Sequence, residues 1–102
     1  MLNEKVAIIT GGTRGIGYAI VKKYLDNGAK VAVLGSRQET VDKALAQLEK
    51  DGYNSDRFAG YCPDLLKIDE IQTTVDAVLE KWGRIDILVN NAGISQHLPI
   101  LS

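Results

Sequence analysis

The stretch best suited to chemistry is glycine-rich and reads Thr-Gly-Gly-Thr-Arg-Gly-Ile-Gly over residues 10–17. Residues 6–9 before it are apolar and mostly β-branched, which predicts a strand buried on both faces, and the residues after it have helical spacing. A glycine-rich turn between a strand and a helix presents backbone N–H groups at the positive end of the helix dipole. Such a turn binds phosphate, and missing Cβ atoms let a diphosphate approach closely. The predicted binding residues here are Gly11, Thr13, Arg14, Gly15, Ile16 and Gly17.

Two better-known glycine patterns do not fit this stretch. The strict dinucleotide pattern G-x-G-x-x-G is absent. Gly12 and Gly17 have the spacing of the nucleoside-triphosphate loop, but Tyr18 and Ala19 follow where that loop has Lys and Ser or Thr. No side chain there holds a γ-phosphate or its magnesium, which disfavours a kinase or a GTPase. The remaining alternative to a phosphate site is a glycine-rich connection that binds nothing.

Strands and helices alternate along the chain. Apolar runs predict further strands at residues 31–34, 57–61 and 85–89, and helical spacing predicts a helix after each of the first three strands. Gly28 and Gly83 are predicted to end the first and third helices. Ser36 is predicted to cap the second helix, with Glu39 as its capping-box partner. The predicted apolar face of the first helix contains Ile16, Ala19, Ile20 and Tyr24, and that of the third contains Ile68, Ile71, Val75, Val78, Leu79 and Trp82.

This order predicts an α/β, Rossmann-like fold of three layers, with three helices and a parallel sheet in the spatial order 3-2-1-4. The direction of the sheet reverses between strands 1 and 4, and ligands of open α/β sheets bind at such a reversal, beyond the carboxyl ends of the strands. The four segments predicted to meet there are the glycine stretch, Ser36 with Arg37, Asp64 with Leu65, and residues 90–93.

Two of these segments resemble motifs of the short-chain dehydrogenase/reductase family. The pattern Thr-Gly-x-x-x-Gly-Ile-Gly and, about 75 residues later, Asn90-Asn91-Ala92-Gly93 occur in the family's order. The resemblance spans nearly the whole chain and implies one Rossmann-type domain over residues 1–102 that binds NAD(H) or NADP(H). Within the family, the chain is similar to 3-oxoacyl-ACP reductases and, through Pro63-Asp64-Leu65, to bacterial hydroxysteroid dehydrogenases.

The end of strand 2 bears on which cofactor is expected. Sites for NAD usually carry an acidic residue here, about 20 residues beyond the glycines, which binds the adenine ribose. This chain has Gly35, Ser36 and Arg37, and no carboxylate. A guanidinium and a hydroxyl suit a phosphate on that ribose, and Arg14 offers a second positive charge from the glycine turn. NADP(H) is therefore the expected cofactor, with NAD(H) as the alternative.

The resemblance also implies roles for the other two segments. Asp64 would accept a hydrogen bond from the adenine amino group, with Leu65 beside it, although Asp64 taken alone fits an ordinary turn equally well. Asn90 and Asn91 can tie neighbouring loops together, while Ala92 and Gly93 leave space for ribose and nicotinamide.

The family's catalytic serine, tyrosine, lysine and further asparagine all lie beyond the Asn-Asn-Ala-Gly segment. Only nine residues follow Gly93, so we expect no catalytic residue here and interpret the chain as the cofactor-binding half of a reductase without its catalytic half. Tyr18 and Lys22 fit the spacing Tyr-x-x-x-Lys but lie on the wrong element, where Tyr18 is expected to flank the phosphate loop and Lys22 to be solvated. The parent protein is expected to act on a carbonyl or hydroxyl substrate of the 3-oxoacyl thioester or hydroxysteroid type. The alternative is a catalytically inactive dinucleotide-binding or assembly module.

Composition disfavours several other classes. With 45% apolar residues, 25% charged residues and a net charge of −1, the chain is typical of a globular domain, and no partner nucleic acid, membrane or metal is expected. No apolar run approaches the roughly 18 residues of a membrane span. The single cysteine, Cys62, is expected to be a small buried residue and fits a reducing, cytoplasmic location. We expect the parent protein to form a homo-oligomer.

Overall fold

A computed structural model describes residues 3–91 of the chain. Those residues form four strands, three α-helices and one short 3-10 helix, Ser55–Arg57. The strands make one parallel sheet in the order β3-β2-β1-β4, so the predicted α/β fold and sheet order are confirmed. In chain order the main elements are β1 (Val6–Thr10), α1 (Gly15–Asp26), β2 (Lys30–Leu34), α2 (Gln38–Lys50), β3 (Phe58–Tyr61), α3 (Ile68–Trp82) and β4 (Ile87–Asn90).

The core lies on both faces of the two central strands, β1 and β2. All five residues of β1 are buried, as expected of a parallel strand covered on both sides. Alternate residues point to opposite faces, so one face of β1 presents Ala7 and Ile9 to α1 and α2, while the other presents Val6 and Ile8 to α3. The three predicted layers are therefore present.

The predicted apolar face of α1 was right for Ile20 and Tyr24, which pack against the core, and wrong for Ile16 and Ala19. Gly17, Val21 and Leu25 are buried, whereas Ile16 is 71% exposed and Ala19 is exposed as well. The buried face is displaced because Gly17, which has no side chain, packs closely against Gly11 in the turn after β1. Apolar spacing gives no weight to a glycine, so the prediction placed the centre of the contact too close to Ile16 and Ala19.

The predicted cap of α2 was also wrong. The helix begins at Gln38 with Arg37 as its N-cap, and no side chain makes a capping hydrogen bond there. Instead, the Thr40 hydroxyl donates to the Arg37 carbonyl at 2.9 Å. Ser36 therefore lies one residue before the cap and is exposed just beyond the end of β2.

The remaining helix and strand boundaries differ little from those predicted. Gly28 and Gly83 follow α1 and α3 with φ of 91° and 80°, in the left-handed region that terminates helices, as predicted. On α3 the predicted Val78 is fully buried and the predicted Trp82 packs against the core. The predicted Ile68 and Leu79 are 82% and 42% exposed, and Thr74, which was not predicted, is buried.

The fourth strand begins two residues later than predicted and is shorter by one residue. It starts at Ile87, and its four residues are only half-buried because, in the part of the chain that the structure describes, β4 lies at the edge of the sheet. No helix among the described residues is long and apolar enough to cross a lipid bilayer.

Candidate functional site

A cleft of about 530 Å³ opens beyond the carboxyl ends of β1, β2 and β3. Six of the predicted site residues meet in it: Gly11, Thr13, Arg14, Ser36, Asp64 and Leu65. The other residues that line it are Leu34, Gly35, Cys62, Pro63, Leu66 and Glu70. Three separate segments of the chain thus contribute to one concave surface beside the reversal in strand order, where α/β sheets bind their ligands.

The turn after β1 contributes Gly11, Thr13 and Arg14 to this cleft, and the predicted Gly15 and Ile16, at the start of α1, do not line it. Gly11 and Gly15 have φ of 63° and 60°, values that side chains rarely adopt, and a Cβ atom at Gly15 would meet nothing within 4 Å. The N-cap of α1 is Arg14, whose side chain makes no capping hydrogen bond, and the first turn carries no acidic residue. The first-turn N–H groups and the helix dipole therefore favour an anion from outside the chain.

Gly12 and Gly17 have a packing role instead. A Cβ atom on Gly17 would lie 1.9 Å from the Gly11 carbonyl oxygen and 2.8 Å from Asn91 Nδ2. One on Gly12 would lie 3.1 Å from a methyl group of Val21. Neither glycine lines the cleft, and Gly17 lets α1 approach the turn closely enough to hold its shape.

Hydrogen bonds join the end of β1 to the end of β4. The buried Thr10 hydroxyl accepts from the backbone N–H of Asn91 at 2.9 Å and lies 3.1 Å from Asn90 Oδ1. The Asn91 side-chain amide donates to the Gly11 carbonyl at 3.2 Å. The asparagine pair therefore does tie the strand end to the glycine turn, as predicted. Neither asparagine lines the cleft itself, and the predicted site residues Ala92 and Gly93 lie outside the described residues.

The two arginines lie differently with respect to the cleft. Arg14 is exposed and lines it, next to the glycine turn. Arg37 does not line it and instead pairs with Glu39, with 3.7 Å between the guanidinium and the carboxylate and both side chains about 70% exposed. An exposed pair of this kind contributes little energy, so the guanidinium remains available to a stronger anion.

On the opposite wall, Asp64 both lines the cleft and shapes a turn. Its Oδ1 accepts from the Leu66 N–H at 3.0 Å, and its carbonyl accepts from the Lys67 N–H at 2.9 Å. Its own N–H donates to Glu70 Oε1 at 2.8 Å. The turn interpretation and the ligand-binding interpretation of Asp64 are thus compatible.

Sequence reasoning missed Cys62, Pro63 and Glu70 as lining residues. Cys62 is half-buried and borders the cleft, which corrects the expectation of a buried residue. Glu70 lies outside the predicted apolar face of α3. Glu70 is the third residue of α3, a position where a glutamate commonly accepts from the N-cap N–H. The sequence thus indicates a contact at the start of the helix, but not the partner, Asp64.

The pair Tyr18 and Lys22 lies away from the cleft. The Tyr18 hydroxyl donates to Asp51 Oδ2 at 3.3 Å, so Tyr18 does not flank the cleft as predicted. Lys22 Nζ lies 3.8 Å from the same oxygen, and the Lys22 side chain is 41% exposed, in agreement with the prediction that it is solvated. Burial and the Asp51 charge raise the pKa of Tyr18, opposite to the change that would prepare a tyrosine to give up its proton. Among residues 3–91, no cluster of His, Cys, Asp and Glu side chains is suited to hold a metal ion.

The fold and this cleft define a nucleotide-binding α/β domain, and comparison with known proteins gives its family. Residues 5–102 match the family model described as short chain dehydrogenase, so the chain belongs to the short-chain dehydrogenase/reductase family.

Individual relatives agree with this assignment. The chain is 55% identical over 96 residues to a 3alpha-hydroxysteroid dehydrogenase of Mediterraneibacter gnavus, a match that covers 94% of the chain and 38% of that relative. The apo-form of glucose dehydrogenase from Caenorhabditis elegans superposes with a TM-score of 0.84 at 34% identity, over 91% of the chain and 39% of that structure. The N-domain of a bacterial malonyl-CoA reductase with NADP superposes with a TM-score of 0.84 at 38% identity, over 90% of the chain and 17% of that structure. The chain thus spans less than two-fifths of the length of each of these proteins.

Proposed function

We propose that this chain is the dinucleotide-binding portion of an NADP(H)-dependent oxidoreductase that transfers hydride between nicotinamide and a carbonyl or hydroxyl substrate. The observation that supports this most is the cleft beside the reversal in strand order, since it gathers residues from three of the four segments predicted to hold the cofactor. The fourth segment, at the end of β4, is hydrogen-bonded to the glycine turn. The alternative, an inactive assembly module, is favoured by no contact among residues 3–91.

The glycine turn would hold the diphosphate. Gly11 and Thr13 line the cleft, and α1 begins at Gly15 without a side-chain cap or an acidic residue in its first turn. The backbone N–H groups of Gly15, Ile16 and the residue after them are thus suited to an external anion. The exposed Ile16 would cover one side of the cofactor.

The rim near the end of β2 supports a preference for NADP(H) over NAD(H). Ser36 and Arg14 line the cleft, Arg37 follows Ser36, and no carboxylate among the described residues of the β2 end competes for the ribose hydroxyls. A 2′-phosphate carries close to two negative charges and accepts charge-assisted hydrogen bonds from guanidinium groups. It would draw Arg37 from its exposed partner Glu39, because that pairing is weak.

The two ends of the dinucleotide would be held by the other two segments. Asp64 and Leu65 would bind the adenine, and Asn90, Asn91, Ala92 and Gly93 the ribose and nicotinamide. When bound, the nicotinamide supplies the hydride-transfer chemistry. Thr10 and Asn91 would keep the nicotinamide side of the site aligned with the glycine turn, through the hydrogen bonds that they share.

Hydroxysteroids are the proposed substrate class of the whole protein, ahead of 3-oxoacyl thioesters. The 55% identity to a 3alpha-hydroxysteroid dehydrogenase supports this choice. We also propose a homo-oligomer in the cytoplasm, a location that suits a chain with one cysteine.

Calorimetric titration with NADP⁺ and NAD⁺, on wild type and on Arg37→Asp, tests the proposed cofactor site. We expect R37D to weaken NADP⁺ binding about tenfold or more, because a charge-assisted hydrogen bond contributes about 1.5–3 kcal/mol, and to change NAD⁺ binding little. Asp is a favourable N-cap residue, so the substitution preserves α2. Lys43→Asp, an equal charge change at an exposed position of the same helix, is the control. Equal losses for both dinucleotides would remove Arg37 from the site.

A further inference from the structure

Glu70 makes an unusual connection at the start of α3. It is the third residue of the helix, where a capping-box glutamate accepts from the N-cap N–H. The N-cap residue here is Lys67, whose N–H donates to the Asp64 carbonyl instead. Glu70 Oε1 accepts from the N–H of Asp64, six residues earlier, at 2.8 Å. The glutamate therefore fastens α3 to the exit of β3 and not to its own cap.

The result is that Asp64 is held at several points. Its N–H, its carbonyl and its Oδ1 are bonded to Glu70, Lys67 and Leu66 respectively. Within residues 3–91 no hydrogen bond engages Oδ2, while the residue itself lines the cleft. The turn thus presents one carboxylate oxygen to a ligand, in a position that depends on its anchors.

We propose that Glu70 is a positioning residue that holds Asp64 so that its carboxylate selects adenine over a purine without the amino group. This role rests on the proposed function, in which Asp64 accepts from the adenine amino group. Hypoxanthine carries a carbonyl oxygen in place of that amino group, and an acceptor facing a carboxylate is unfavourable. Selection requires that the carboxylate stay in place, and Glu70 is the only anchor of Asp64 among the described residues that lies within a helix.

The test is calorimetric titration of the 102-residue chain with NADP⁺ and with its hypoxanthine analogue. We expect wild type to bind NADP⁺ about tenfold more tightly than the hypoxanthine analogue. This ratio corresponds to the low end of the range for a hydrogen bond to a charged group, because Asp64 is exposed. In Glu70→Ala and Glu70→Asp the ratio should fall to about twofold or less, since neither side chain reaches the Asp64 N–H. Glu70→Gln should restore the ratio, because its amide oxygen still accepts that bond.

The matched control is Asp69→Ala, which removes a negative charge from the same helical turn. The Asp69 side chain makes no hydrogen bond within residues 3–91, so D69A should keep the wild-type ratio. A purely structural role of Glu70 would weaken both ligands equally and leave the ratio unchanged. E70D is the milder of the two disrupting variants and keeps the charge, so it serves if E70A does not fold.

The outcomes separate the two proposals. A wild-type ratio that persists in E70A or in E70D overturns the role of Glu70 and leaves the cofactor site standing. Equal binding of both dinucleotides by wild type also overturns it, because Asp64 would then not read the amino group. Failure of wild type to bind either dinucleotide refutes the cofactor site itself.

Discussion

Replacing Gly17 with alanine tests whether the glycine turn is shaped by close packing. The added Cβ atom would lie 1.9 Å from the Gly11 carbonyl oxygen, whereas such contacts are essentially never shorter than 3.0 Å. The obstacle is backbone and not a flexible side chain, so either the turn or the start of α1 must move. Because Gly11 also accepts from Asn91, a moved turn loses that hydrogen bond as well.

The expected cost of Gly17→Ala is about 3 kcal/mol of unfolding free energy, the upper end for overpacking. Gly15→Ala is the matched control, since its Cβ atom has open space and only a left-handed φ of 60° to bear, which costs about 1 kcal/mol. With a urea dependence of about 1 kcal/mol/M, the midpoint of G17A should lie about 2 M below that of G15A.

Urea titration followed by circular dichroism measures both midpoints, and calorimetry with NADP⁺ measures the second effect. G17A should also bind NADP⁺ more weakly, because the turn that would hold the diphosphate has moved. Equal midpoints for the two variants would refute the claim that the Gly17 contact shapes the turn.

Three other outcomes are expected. Thr10→Val removes the hydroxyl that accepts from the Asn91 N–H, and urea unfolding should show that the free energy of unfolding falls by about 1–2 kcal/mol. Thr10→Ser should stay near wild type. Unchanged stability in T10V would argue against the link between β1 and β4. The Arg84 side chain, followed by the backbone N–H of Val6, lowers the pKa of the Asp86 carboxyl. The stability that comes from this lowered pKa is present above the unfolded-state pKa and is lost as pH falls through the folded-state pKa. Wild type should therefore lose unfolding free energy below about pH 4 more steeply than Asp86→Asn does. Parallel plots of unfolding free energy against pH for the two proteins would exclude the effect. The half-buried β4 is a sheet edge in the region that the structure describes, so the 102-residue chain should self-associate. Light scattering at high protein concentration checks this, and a monomer at every concentration would contradict it.

Sheet order and strand positions were predictable because they depend on short-range patterns. Continuous apolar runs marked β1 and β2, and helices of ordinary length between strands require parallel pairing with right-handed crossovers. Gly28 and Gly83 ended helices for a local reason, their freedom to adopt positive φ. The meeting of Arg14, Ser36 and Asp64 followed from topology alone, since parallel strands end at one edge.

What escaped prediction depends on contacts between distant residues. The rotation of α1 follows from the fit of Gly17 against Gly11, and hydrophobic spacing carries no information about such a fit. The partner of Glu70 lies six residues earlier, outside the three- and four-residue spacings that relate neighbours on a helix. The N-cap of α2 is Arg37, one residue after the predicted Ser36, and local sequence pattern does not fix a helix boundary to a single residue.

The bonds between Thr10 and Asn91 join residues 81 apart in sequence, which has a consequence for the order of assembly during synthesis. Ribosomes add about 5–20 residues per second, so the glycine turn is synthesised about 4–16 s before Asn91, which is hydrogen-bonded to it. Closing so long a loop also costs chain entropy before any contact compensates it. A nascent chain should therefore bind a cofactor only after β4 has paired with β1, and not as soon as the glycine turn has left the ribosome.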